Sequence, residues 1–208
     1  MMISAIILAA GEGSRMGTLK QLLPWGESTV LETVINKIIS SSLDGEIRVV
    51  LGCQAGRIKN SISEELADQI KFLLNEEYQQ GMFSSVLTGI ADLPPQTEGL
   101  LFMLADQPLV PVEVYNQIIN KFCREKPLLL VPSYNERRGH PLIISTALIP
   151  EIYNLPCDGQ HPPGGLRSLL AKYSQEIEYL ELDDDSVLID LDYQEDYRKY
   201  APEGKADA

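Results

Sequence analysis

Residues 8–17 read LAAGEGSRMG, with three glycines and one arginine directly behind a short apolar run, and Lys20 follows three positions later. A strand that turns through glycines exposes backbone N–H groups able to hold anionic oxygens. Arg15 can add a bidentate fork and Lys20 a point charge beside the same loop. Two familiar phosphate cradles fail on spacing. A dinucleotide fingerprint needs G-x-G-x-x-G or a final alanine, and after Gly11 and Gly13 that third place holds Met16, with Gly17 one residue late. The string G-x-x-x-x-G-K-[ST] does not occur. On these residues alone, an anion-binding turn competes with a tight strand-to-helix turn flanked by two surface cations. A complementary acidic set lies downstream: Asp106 after the run LLFMLA, and Asp190 and Asp192 two apart in VLIDLD. If that last stretch is a strand, its period of two puts both carboxylates on one face. The neighbouring Asp183, Asp184 and Asp185 read as a solvated turn.

The elements that must position these residues follow from the apolar pattern. AIILA, IRVVLG, IKFLLN, GLLFMLAD and PLLLVPS are short apolar runs of the kind buried on both faces of a parallel sheet. Between them STVLETVINKIISSS, GRIKNSISEELADQ, GMFSSVLTGIADL and VPVEVYNQIINKFCRE carry helical spacing, with Ser28 or Thr29 placed to cap the first. RRGHPLIIS suggests an excursion that returns as a strand. The loop NLPCDGQHPPGG is irregular, GLRSLLAKY is a helix, IEYLEL and VLIDLD read as strands, and the terminal EGKADA as a frayed end. Strand–helix alternation predicts an α/β fold: a three-layer, mostly parallel, Rossmann-like sheet with helices on both faces, as one domain over residues 1–208. In such sheets ligands sit at the carboxyl ends of strands, where the glycine turn and Asp106 both fall.

Composition narrows the function classes. With 17 Lys and Arg against 30 Asp and Glu the net charge is −13, which argues against a broad nucleic-acid face. No apolar stretch reaches the ~18 residues of a membrane span, and ISAIILAA lacks a basic leader, so a cytoplasmic, non-membrane protein is expected. Cys53, Cys123 and Cys157 are odd in number and widely spaced, which argues against disulfides or zinc.

Six segments in order resemble the MobA-like nucleotidyltransferases: LAAGEGSRMG with KQLLPWG, NEEYQQGMFSSVLTGI, LADQPLV, RRGHP, GGLRSLL and VLIDLDYQEDY. They cover most of the chain. The resemblance implies a nucleotide-diphospho-sugar-transferase type of fold, a nucleoside triphosphate, a phosphorylated acceptor, Mg²⁺ and release of pyrophosphate. An acceptor phosphate is already anionic near neutral pH, so the lack of a Cys–His or other general-base pair is consistent with catalysis by positioning and charge neutralisation.

By that resemblance Gly11, Gly13 and Arg15 cradle the triphosphate and Lys20 neutralises charge between the α- and β-phosphates. Asp106 and Asp190 hold Mg²⁺, with Asp192 as a further carboxylate. Leu8, Ala9 and Ala10 present backbone to the base, and Ser84 and Ser85 reach the base or ribose unless they only cap their helix. Family members that use GTP carry a glycine pair where this chain has Ala9-Ala10, so the alanine pair is similar to the CTP-using type, its methyl narrowing the base pocket. Arg138, Gly139, His140 and Arg167, with Arg137 beside them, line the acceptor side. The acceptor implied is a molybdopterin, with a molybdoenzyme as client. Asp158, His161, Gly164 and Gly165 belong to a loop that could close over a bulky acceptor, and the HPP insertion there departs from the family pattern. Alternatives are GTP, a sugar or polyol phosphate acceptor, or a non-catalytic pterin carrier.

Overall fold

The computed structural model of the chain describes residues 1–13, 16–156 and 164–202. Arg15, Cys157, Asp158, His161 and the tail 203–208 lie outside the described residues. Strand β1 (Met2–Ala9) shows why the apolar runs become central strands: Ile3, Ala5, Ile7 and Ala9 enter one core, while Ile6 and Leu8 face the other. Full burial of one such aliphatic side chain contributes roughly 1.5–3 kcal/mol, so a strand buried on both faces is strongly placed.

After β1 comes a short hairpin of β2 (Pro24–Trp25) and β3 (Ser28–Thr29), then helix α1 (Val30–Ile39). Thr29 caps α1 through a capping box in which its hydroxyl accepts from the Glu32 amide at 3.2 Å and the Glu32 carboxylate accepts from the Thr29 amide at 3.2 Å. Strand β4 (Ile47–Leu51) is followed by two short helices, α2 (Ala55–Ser61) and α3 (Glu64–Ala67), then β5 (Lys71–Leu74), α4 (Met82–Ile90), β6 (Thr97–Leu104) and α5 (Val112–Glu125). The single helix expected over residues 56–69 is thus two. Ile62 turns extended at φ −77°, ψ 133° and is buried among the core residues, so its anchoring breaks the helical run. The chain continues with β7 (Leu129–Tyr134), β8 (Arg137–Arg138), β9 (Leu142–Ser145), α6 (Ile149–Tyr153), α7 (Leu166–Lys172), β10 (Ile177–Glu181) and α8 (Gln194–Tyr200).

The main sheet runs β10-β7-β9-β6-β1-β4-β5, with β8 paired to β7. β9 is antiparallel to both β6 and β7, β8 is antiparallel to β7, and the other pairings are parallel. Helices α1, α2, α3 and α5 pack on one face and α4, α6 and α7 on the other, giving the three-layer α/β arrangement. The order of strands reverses beside β1, with β4 and β5 on one side and β6 on the other. That topological switch opens a crevice at the carboxyl ends of β1 and β6.

The last segment departs from expectation. VLIDLD has the composition of a strand, yet residues 185–188 form a 3-10 turn and Ile189–Asp192 pair with no strand. The Leu191 amide donates instead to the Asp106 carbonyl at 3.0 Å, and the Leu191 side chain is buried with Trp25 and Val30. Helix α8 then closes on the β2–β3 hairpin: Tyr197 lies 6.2 Å from Trp25 between ring centroids and its hydroxyl donates to the Pro24 carbonyl at 2.6 Å. Among the described residues no helix is long and apolar enough to cross a membrane. Replacing Thr29 by Ala removes one half of the α1 capping box. It should lower unfolding free energy by about 1 kcal/mol, read as a reduced urea midpoint with an unchanged slope.

Candidate active site

The glycine turn leaves β1 at the switch point. Its carbonyls are held by the protein: that of Leu8 accepts from the Ala105 amide at 3.3 Å and that of Ala10 from the Cys53 amide at 3.2 Å. The two site glycines do different work. Gly13 has φ +63°, and a Cβ there would lie 2.2 Å from the Thr18 carbonyl oxygen, so the turn itself requires glycine. Gly11 is exposed and an added Cβ would meet nothing within 4 Å, which leaves its backbone open to approach from outside. Ala10 is buried. A methyl added at Gly52 would stand 2.9 Å from the Ala10 methyl and 2.6 Å from Cβ of Tyr78, so the Ala10 methyl faces the end of β4.

Lys20 is the charged centre of the crevice. Its ammonium donates to Asp106 Oδ2 at 3.0 Å and to Asp192 Oδ1 at 2.5 Å. Its side chain is only 14% exposed. Burial opposes its charge, but the hydrogen bond to Asp192 and the nearby Asp106 carboxylate outweigh that and raise its pKa above the ordinary lysine value. Asp106 stands just past the end of β6, and its loop is held from α1, where Lys37 donates to the carbonyls of Pro108 at 2.5 Å and Val110 at 2.9 Å. Asp192 is fixed at the entry to α8, where its amide and that of Tyr193 donate to Asp196 Oδ2 at 3.2 and 2.8 Å.

Because Ile189–Asp192 is not a strand, the period of two does not apply, and the Asp192 amide turns back to the Asp190 carbonyl at 3.0 Å. Asp192 bonds the Lys20 ammonium directly, while Asp190 lies near enough to feel the charges of Asp106, Asp192 and Lys20. Asp190 instead accepts from Gln107 Nε2 at 2.7 Å, and its pKa is raised by burial and, secondarily, by the Asp106 charge. Gln107 directly follows Asp106 in LADQP, and that adjacency was the signal available for it. It is buried and also donates to the Val187 carbonyl at 3.3 Å.

Asp190 lies on the wall of a cavity of about 840 Å³ beside the crevice. The expected acceptor residues Arg138, Gly139, His140 and Arg167, with Arg137, all line it. Its floor is apolar, built from Leu8, Phe83, Phe102, Val131 and Leu142 among others, so charge sits at the rim over a greasy base. Tyr179 on β10 was not singled out by its sequence; its hydroxyl accepts from Arg138 Nε at 2.9 Å. Gly139 cannot carry a side chain, since a Cβ would lie 2.5 Å from the Val187 carbonyl oxygen. Of the loop glycines, Gly164 lines the cavity and Gly165 opens α7.

Ser84 and Ser85 are engaged internally. Asn75 Nδ2 donates to both hydroxyls at 2.8 and 3.0 Å, and Ser84 Oγ is within 2.8 Å of the Gly81 carbonyl it can donate to. Neither hydroxyl caps α4, whose N-cap residue is Gly81 with no side-chain cap, and Asn75 just past β5 is the partner that sequence reading missed.

The site geometry supplies a fit test for a divalent cation. Among the described residues no group of three or more His, Cys, Asp or Glu side chains is arranged as a ready metal cage. Mg²⁺ commonly binds through one or two carboxylates with substrate phosphates completing its shell. Asp106 and Asp192, already sharing one cation in Lys20, fit that donor set.

A family model for the MobA-like NTP transferase domain matches residues 5–177. The molybdenum cofactor cytidylyltransferase of Escherichia coli (strain K12) is 29% identical over 94% of this chain and 93% of its own length. The nicotine blue oxidoreductase of Paenarthrobacter nicotinovorans is 25% identical over 91% and 92%. Among solved structures, Rv0371c from Mycobacterium tuberculosis H37Rv superposes with a TM-score of 0.81 at 27% identity, covering 96% of this chain and 97% of that one.

His140 carries a testable consequence of its cavity wall. Burial holds its pKa down at about 4. The neutral imidazole is therefore the folded form at neutral pH, and the sign follows from linkage: its contribution to stability is complete above the unfolded value near 6.5 and is lost as pH falls toward 4. The chain has two histidines, so the side-chain NMR titration is simple to read. One imidazole should titrate near pH 4 and should vanish from the spectrum of His140→Gln. Two midpoints near 6.5 would contradict the burial argument.

Proposed function

The chain belongs to the MobA-like NTP transferase family, and from that premise we propose that it transfers CMP from CTP to the phosphate of a molybdopterin-type acceptor, releasing pyrophosphate. The observation that carries the reading is the Lys20 ammonium shared by Asp106 and Asp192 beside the open backbone of Gly11. A cation and paired carboxylates at the mouth of a glycine turn are what transfer at an α-phosphorus requires, because positioning and charge neutralisation supply most of the catalysis. An oxygen of the acceptor phosphate forms the new bond to the α-phosphorus. The bond from that phosphorus to the α–β bridging oxygen breaks, and the electron pair leaves with pyrophosphate. The acceptor dianion needs no proton removed, which agrees with a His140 that stays neutral and uncharged on the cavity wall.

Asp106 and Asp192 are the residues we assign to Mg²⁺, with Asp190 on the acceptor side. The ion would neutralise phosphate charge and polarise the α-phosphoryl group. Lys20 stabilises the charge that builds on the leaving pyrophosphate. Arg137, Arg138 and Arg167 offer the acceptor phosphate its counter-charge, and the apolar floor takes the flat body of a heterocycle. The preference for CTP is supported by the Ala9-Ala10 pair and by the name of the Escherichia coli relative.

The test is pyrophosphate release with MgCl₂, molybdopterin, and either CTP or GTP. CTP should be preferred by at least about tenfold in kcat/KM, since that corresponds to about 1.4 kcal/mol of discrimination. Preferential GMP transfer would sink the cytidine assignment, and transfer only to a sugar phosphate would move the acceptor class. Asp106→Ala should lower kcat by about a hundredfold or more with an unchanged far-UV circular dichroism spectrum. Asp192→Asn should cost more in Mg²⁺ dependence than Asp190→Asn. The reverse order would return the second metal position to Asp190.

A further inference from the structure

Gln21 is a buried polar residue for which the transfer chemistry has no direct use. It is 6% exposed, in the short 3-10 turn Lys20–Leu22. Its Nε2 donates to two carbonyls of the glycine turn, that of Ala9 at 3.0 Å and that of Gly11 at 3.3 Å. Both neighbours can only accept, so the amide orientation is settled by chemistry: the NH₂ must face them. Its Oε1 is buried and has no hydrogen-bond partner among the described residues. A leucine or methionine of similar size would carry no such unmade bond. The side chain tolerates an orphaned acceptor, so its worth to the protein lies in the donating end.

We propose that Gln21 is a positioning residue that aims the amides of the nucleotide loop. A trans peptide unit is planar, and its C=O and N–H point in opposite directions. The Ala9 carbonyl shares its unit with the Ala10 N–H, and the Gly11 carbonyl shares its unit with the Glu12 N–H. By bonding both carbonyls, one buried NH₂ group fixes the planes of both peptide units and with them the directions of both amides. Between them the Ala10 carbonyl is held separately by the Cys53 amide, which fixes the plane that carries the Gly11 N–H. Three successive N–H groups are therefore oriented by bonds made on their carbonyl neighbours, and backbone amides held in fixed directions at a turn can bind anionic oxygens. The ligand class is a nucleoside triphosphate, and this clause alone rests on the nucleotidyl-transfer reading.

The experiment compares wild type, Gln21→Ala and Gln21→Glu in two arms. In the kinetic arm, Gln21→Ala should raise the KM for the nucleotide about tenfold, the effect of two neutral hydrogen bonds, while the acceptor KM stays within about twofold. Gln21→Glu places an acceptor against two carbonyls. Its nucleotide KM should be worse than that of Gln21→Ala at pH 8 and should recover as pH falls and the carboxyl gains a donating proton. In Gln21→Ala the ratio to wild type should stay flat over the same range. An unchanged nucleotide KM, equal losses for nucleotide and acceptor, or parallel pH profiles of the two variants would overturn the assignment.

The second arm needs no turnover. In the ligand-free protein, Gln21→Ala should loosen the loop: the backbone NMR order parameters of the Ala10 and Glu12 amides should fall, with those of β6 core amides unchanged. Equal order parameters would overturn the assignment even if the nucleotide chemistry were something else. If the wild type transfers no nucleotide yet this difference is present, the transfer reading fails and the positioning role stands. Should neither variant fold, Gln21→Met, which keeps the volume and removes the donor, carries the same comparison: a fall supports the proposal, and no change rejects it.

Discussion

One ammonium group holds three distant parts of the chain in register. Lys20 comes from the turn after β1, Asp106 from the end of β6, and Asp192 from the segment entering α8. Without the lysine, two carboxylates would stand near each other in a partly buried crevice, at a cost of like-charge repulsion as well as desolvation. Without the carboxylates, the lysine would be a half-buried cation with no partner. In the unliganded protein the one ammonium offsets only part of the charge of the two carboxylates, so the trio stays net negative. Everything else at the site serves that geometry: Lys37 steadies the Asp106 loop, Asp196 steadies the Asp192 turn, and Trp25 with Tyr197 locks α8 against the hairpin that follows Lys20.

The charge of the whole molecule sets the background. A net charge of −13 repels anionic substrates at long range. The cavity rim answers locally with Arg137, Arg138 and Arg167, while its floor is apolar. Those three arginines gather positive charge at one opening of a molecule that is acidic as a whole. Salt should weaken the long-range repulsion more than the local contacts, because exposed separated charges are screened first.

Much of this was legible in the sequence for a simple reason. Central strands such as IRVVL and LLFML are buried on both faces, so composition alone betrays them, and alternation with helical spacing then implies the layers. The glycine turn, Lys20 and Asp106 were legible because a strand end is a fixed address in this kind of sheet. What escaped was set by tertiary contacts. VLIDLD reads as a strand, but the hydrogen bond from Leu191 to the Asp106 carbonyl and burial of the Leu191 side chain against Trp25 override its propensity. Asp190 and Asp192 therefore take different hydrogen-bond partners, Gln107 and Lys20, which no periodicity could reveal. Ser84 and Ser85 stayed open between a ligand and a helix cap because Asn75, their partner, lies on another element. Gln21 in KQLLP carries no mark of its role, since nothing in a one-dimensional string says that its amide bonds the loop.

The distance along the chain between Lys20 and Asp192, 172 residues, has a consequence for how the protein comes into being. During synthesis the glycine turn and Asp106 leave the ribosome long before α8 does. Until then the crevice holds one lysine and one aspartate of its eventual triad, and the β2–β3 hairpin has no Tyr197 to lie against. Pairings of such separation are slow to close because chain entropy must be surrendered before the contact repays it. The strands that carry Lys20 and Asp106 to the crevice are thus made well before the segment that brings Asp192 to them.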